Sequence, residues 1–161
     1  MLKKSQLASR CPAVTEALTA KEKGLLMEWV KAYLEKEGNR GLLDALSQNR
    51  TDYIDLVEFP LSLLKKIDGP EEIPNRQPLD VWETRVSILE TNIGNGEFPP
   101  PLIVTDFWKP LEIVDGNHRH EALIRNGIDA YWTIFIFCNH ESKELLSELG
   151  KFGAKQVSCG T

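Results

Sequence analysis

Asp115, Gly116, Asn117, His118 and Arg119 are consecutive, so one chain reversal carries a carboxylate, an amide, an imidazole and a guanidinium. Those four groups suit work on a phosphoryl centre. A guanidinium grips phosphate oxygens bidentately, and an imidazole donates a hydrogen bond to them or moves a proton. A carboxylate beside the phosphates binds a magnesium ion or takes the proton from an attacking hydroxyl or water. Phosphoryl transfer asks for little beyond positioned positive charge and such a metal ion. Each residue also has a plainer use. Asp115 can close an Asx turn, Asn117 can cap a helix, and Arg119 can pair with Glu112 or Glu121 on the surface. His120 stands two residues from His118 and so off its helical face, which argues against a metal clip between them and leaves His120 peripheral.

The elements around these residues must supply the seat. Leu111, Ile113 and Val114 read as a buried strand, Gly116 permits a left-handed turn, and Asn117 is read as the N-cap of a helix with Ala122, Leu123 and Ile124 on its inward side. Gly127 stops that helix. The first backbone N–H groups of such a helix lack partners and carry positive partial charge, which favours a bound anion. His118 and Arg119 add positive charge to the same turn, an arrangement unfavourable to the helix unless something negative is held there.

Elsewhere the pattern predicts a helical N-terminal extension over residues 1–50, a mixed domain over 51–152 and a flexible tail over 153–161. The first dozen residues are polar and read as loose, with structure beginning near Pro12. Thr19 and Glu22 match a capping box ahead of Leu25, Leu26, Trp29, Val30, Tyr33 and Leu34, which recur at helical spacing until Gly38. A short helix through Leu42 and Leu46 follows. Residues 53–59 have strand composition, Pro60 ends them, and Leu61, Leu63 and Leu64 suggest one helical turn. Residues 68–78 read as a connector long enough to serve as a lid. A helix through Trp82, Val86, Leu89 and Ile93 leads to a proline brace and a hairpin formed by residues 102–105 and 111–114. Residues 130–137 are the strongest strand, and a last helix starts near Asn139. Trp82, Trp108 and Trp132 are read as packing residues, with Trp108 in a turn where it could face a base.

Composition narrows the class. Apolar residues at 42% and charged residues at 27% are enough for a core without disulfides. A net charge of -5 repels a polyanion at long range and argues against a protein that coats DNA. Cys11, Cys138 and Cys159 are odd in number and form no CxxC, so free thiols, a reducing compartment and a cytoplasmic location are expected. No run approaches the roughly 18 apolar residues of a membrane span.

In residues 53–137 the order strand, helix, Pro101-Leu102-Ile103-Val104 strand, strand, Gly116-Asn117-His118-Arg119 turn, helix with Ala122, strand resembles the ParB/sulfiredoxin superfamily. The resemblance implies an α+β fold with a small mixed sheet and flanking helices. It also implies that ATP or a related nucleotide binds with Mg2+, its phosphates lying on Gly116, Asn117, His118 and Arg119. Sulfiredoxins carry their catalytic cysteine where this chain has Asn117, and an amide cannot form the thiosulfinate that reaction needs. Chromosome-partition members continue into a helix-turn-helix for which the residues after Leu149 leave little room. The free-serine kinases, with Asp-Gly-His-Thr-Arg, are similar at Asp115, Gly116 and Arg119, and they carry an acidic residue in the early strand region that Glu58 resembles. Small plasmid fertility-inhibition proteins, described as ATPases with DNase activity, are also similar. The resemblance therefore implies an NTPase, with nuclease action in one version, in which Asp115, His118 and Glu58 are catalytic and Asp115 holds the metal. The alternatives are a kinase for a small hydroxyl substrate, or a non-catalytic nucleotide-regulated module whose N-terminal helices engage a protein partner. DNA is a partner only in the nuclease version, and no membrane partner is expected. Under the enzymatic reading Arg119→Ala abolishes nucleotide binding and leaves the fold intact.

Overall fold

Strand β6, Ala130–Phe137, is built from aromatic and β-branched residues, and every one after the first is buried. A strand hidden on both faces is a central strand with cover on each side. β6 pairs antiparallel with β1, Tyr53–Pro60, and parallel with β4, Leu102–Thr105. β4 in turn pairs antiparallel with β5, Glu112–Asp115, giving the mixed order β1-β6-β4-β5. The hairpin read at residues 102–105 and 111–114 is thus present with its second arm one residue later, because Leu111 stands in the left-handed region at φ +62° and belongs to the turn, and its register is irregular between Ile103 and Val104. The computed structural model describes residues 11–71 and 75–158. The expectation of a loose first dozen residues lies outside them for 1–10, as does Cys159; at its end it is corrected, since Cys11 is buried and Pro12 opens a helix.

Among the described residues six α-helices accompany this sheet: α1, Pro12–Glu22; α2, Leu26–Glu37; α3, Arg40–Gln48; α4, Leu79–Gly94; α5, Asn117–Arg125; and α6, His140–Ser158. The chain is mixed α+β, as its pattern implies. A short 3-10 turn, Leu61–Leu63, follows β1. Within the 68–78 connector, β2, Asp68–Gly69, pairs with β3, Asn75–Arg76. α6 runs on to Ser158, past the point where the pattern marks a tail.

Two local readings are corrected. Thr19 and Glu22 do not open a helix but lie in the last turns of α1, where the Thr19 hydroxyl donates to the carbonyl of Thr15 at 3.0 Å. Pro12 has already started a helix there, because its fixed φ suits a first turn that needs no N–H. Gly24, at φ +72°, breaks the chain before α2, whose leading residue Leu25 provides no side-chain cap. The second correction concerns Asn117. Gly116 occupies the cap position with φ +106°, and Asn117 is already helical.

The N-terminal helices share the core of the sheet. Val14, Ala17, Val30 and Leu34 belong to the same buried cluster as Leu56, Ile103, Ile134 and Phe135, all at 1% exposure or less. At the outer side of β1, the Lys21 ammonium of α1 donates to the carbonyl of Leu56 at 2.9 Å and pairs with Asp55 at 2.7 Å. The Asp55 carboxylate accepts from the Leu56 N–H at 2.8 Å. At the outer side of β5, Lys65 exchanges backbone bonds of 2.9 Å with Leu111 and Ile113. No helix among the described residues is long and apolar enough to cross a membrane, and Cys11 and Cys138 are free thiols.

Candidate functional site

β5 ends at Asp115, the chain reverses at Gly116, and α5 begins at Asn117. Gly116 is dictated twice over. Its φ lies where L residues are strained, and a Cβ would fall 2.8 Å from both the Leu102 side chain and Nη2 of Arg119. Arg119 can fold back across the turn only because nothing projects from residue 116.

Fold back it does, onto a set of buried partners. The Arg119 Nη2 donates to Asp115 Oδ2 at 2.5 Å, while Nη1 donates to the Tyr33 hydroxyl at 2.9 Å and to the Pro100 carbonyl at 3.3 Å. The other Asp115 oxygen, Oδ1, accepts from the Asn39 amide at 2.9 Å. Asn39 also caps α3 by accepting from the Leu42 N–H at 3.2 Å. Arg119 is only 8% exposed. Burial pulls its pKa down, but the Asp115 carboxylate and the Tyr33 hydroxyl outweigh that and raise it, so the guanidinium stays charged. The partner of Arg119 is Asp115, four residues back, rather than Glu112 or Glu121. Tyr33 and Asn39 come from the N-terminal helices and carried no signal for this contact in the sequence, because tertiary packing alone brings them to the junction.

Asn117 is buried and committed to backbone. Its Oδ1 accepts from the Ile67 N–H and its Nδ2 donates to the Ile113 carbonyl, both at 2.9 Å. It ties the connector after the 3-10 turn to the end of β5. His120 is likewise structural. It is 4% exposed, and its Nε2 donates to the Leu61 carbonyl at 2.8 Å. The reading of His120 as peripheral is therefore corrected: it points away from His118, as the helical spacing requires, but into the interior.

His118 is the member of the run turned toward the connector. Its Nε2 lies 3.0 Å from Oε1 of Gln77, and its ring rests on Trp82 with centroids 4.6 Å apart. Burial lowers its pKa, Arg85 and Arg119 lower it further, and Asp68 opposes them. The ring is mostly neutral near pH 7. Gln77 is held in turn by its own N–H, which donates to the Gly69 carbonyl at 2.7 Å. It also lines a cavity of about 310 Å3 together with Pro70, Arg76, Pro78 and Leu79. Arg76 and Arg85 are exposed and take part in no ion pair among the described residues. Lys66 stands 5.4 Å from the centre of the Trp82 ring and bonds to Glu121 at 3.0 Å. The sequence reading passed over Asp68, Arg76, Gln77 and Arg85. For the first three the only cue is that the connector carries polar side chains between prolines, while Arg85 reads as one position of the helical repeat of α4.

Glu58 is not brought to this junction. It sits on β1, paired with Trp132, and β6 and β4 intervene between β1 and β5. It lines instead a separate hollow of about 250 Å3 with Tyr53, Val57, Lys143, Leu146 and Ser147. Trp82 and Trp132 are buried, whereas Trp108 is 66% exposed. Compared with protein-family models, curated proteins and solved structures, the chain finds no match.

Proposed function

We propose that the chain is a nucleotide-binding domain of ParB/sulfiredoxin character, holding the phosphates of ATP or a related nucleotide at the first turn of α5. The observation that carries this reading is His118, which stands at that turn beside a cavity bearing Arg76 and Gln77, with Arg85 close enough to repel its proton. The helix supplies unpaired N–H groups there, and two arginines without ion-pair partners among the described residues supply the cationic rim. Arg119 acts behind the site, through the junction it stiffens, and not as the phosphate grip.

Among the readings open to this residue set, a nucleotide-regulated module fits better than an ATPase with nuclease action or a kinase for a small hydroxyl substrate. Either reaction calls for a carboxylate free to take a proton or to share a magnesium ion with the phosphates. Asp115 has a guanidinium on one oxygen and an amide on the other, and Glu58 lies on the opposite edge strand. The residues present do not fit the expected Mg2+ at Asp115, whose two oxygens are both taken.

Thermal shift and calorimetry with a panel of nucleoside triphosphates test the reading. A ligand bound only by the folded state raises the apparent stability. His118→Ala and Arg85→Ala are expected to weaken binding about tenfold or more each, which is about 1.4 kcal/mol, while leaving the fold intact. If no nucleotide raises the melting temperature, or if both variants bind like the parent, the proposal fails. Phosphate release at the parent's own saturating nucleotide concentration distinguishes the module, which shows none, from an NTPase.

A further inference from the structure

His120 uses its ring on one side only. Nε2 lies 2.8 Å from the Leu61 carbonyl, which can only accept, so Nε2 carries the hydrogen. Nδ1 is then a bare acceptor, buried and without a hydrogen-bond partner among the described residues. Leu61 opens the turn that follows β1, and the chain leaving that turn runs along the outer side of β5 through Lys65 before Asn117 ties it down at Ile67. The imidazole bond is therefore one of the contacts that fix the start of the segment framing the candidate site, beside the Leu61 N–H that donates to the Asp129 carbonyl at 2.8 Å and the Leu64 N–H that shares the Leu61 carbonyl at 3.2 Å. The charged groups facing the ring are Lys66, on that segment, and Glu121, on α5 itself. Glu121 is already engaged by Lys66 at 3.0 Å and Arg125 at 3.1 Å.

We propose that His120 is an acid-released latch: while neutral it pins the turn after β1 to α5, and a proton on Nδ1 drives the ring out and frees the connector along β5. The added proton makes a buried N–H with no acceptor and a buried charge whose facing carboxylate, Glu121, is already shared by Lys66 and Arg125, and each is costly enough to favour opening over endurance. Burial lowers the ring's pKa below its ordinary value; the Leu61 carbonyl and Glu121 oppose that and Lys66 adds to it. A folded-state pKa below the unfolded one means that the folded state binds fewer protons. The contribution of His120 is then whole above about pH 6.5 and is lost as pH falls through its folded value. The latch does not depend on any nucleotide.

Nitrogen-15 spectroscopy of the histidine rings in the full chain tests the latch, together with amide exchange at Lys65 and Ile113 corrected for intrinsic chemistry. The expected result is an Nε2–H tautomer near neutral pH and a ring that titrates below the free histidine value. Exchange at the two amides should rise about tenfold for each pH unit lost between the free histidine value and the ring's own lower titration, and level off below it. In His120→Gln, which keeps an N–H donor and cannot titrate in this range, the rise should disappear. An Nδ1–H tautomer, a titration at or above the free value, or the same rise in His120→Gln overturns the proposal. Should His120→Gln fail to fold, the ring titration of the unaltered chain decides the matter alone.

Discussion

Arg119 and Arg125 leave the same helix and live in opposite regimes. Arg125 has three carboxylates around it: Glu83 at 2.7 Å, Glu121 at 3.1 Å and Glu90 at 3.7 Å. Its guanidinium is held above its ordinary pKa, first by the hydrogen bonds to Glu83. Arg119 has one carboxylate, one hydroxyl and one carbonyl, yet it is buried where water cannot substitute for any of them. Counting ion pairs would rank Arg125 first, whereas dielectric surroundings rank it second. Exposed pairs exchange water for protein at little net gain, and breaking a buried pair strands the remaining charge.

That contrast can be broken or sharpened by substitution. Arg119→Ala should have the largest effect, about 3 to 5 kcal/mol in urea unfolding, because it leaves Asp115 half-paired and the Tyr33 hydroxyl without its donor. This reverses the expectation from sequence that Arg119→Ala would spare the fold. A stability equal to that of the parent would show the buried pair to be inert. Gly116→Ala comes next, at about 2 kcal/mol or more, since a left-handed φ and a Cβ overlapping Leu102 act together. The same unfolding measurement reads it, and Arg119→Ala in that background should add less than it does alone, because the two residues touch. Arg125→Ala should have the smallest effect, with the urea midpoint nearly unmoved despite three lost partners; a large shift would mean that the surface network is not screened as its exposure implies.

How much of this the amino-acid order disclosed depends on the range of the interaction. The strand at residues 130–137, the hairpin at 102–105 and 111–114, offset by one residue in its second arm, and the reversal at Gly116 follow from local patterning and are present. Helix α1 was missed because its buried face is carried by Val14 and Ala17, too few and too small to make an apolar stripe. At the site, the run from Asp115 to Arg119 was visible as chemistry, but the direction each side chain takes was not. Arg119 turns inward because Tyr33 and Pro100 wait there, and His118 turns toward Gln77 because the connector folds back over α5. None of these partners is adjacent in sequence, so no spacing rule could point to them.

The bonds that Lys21 and Asp55 make at Leu56 have a consequence for solution behaviour. β1 ends the sheet, and a terminal strand with open amide and carbonyl groups is a template on which another molecule's strand can assemble. Here an ammonium and a carboxylate occupy the middle of that template, so a foreign strand would have to displace two charges to extend the ladder. A fragment trimmed of residues 12–48 would lose the ammonium along with its share of the interior, and β1 would stand open to strand addition.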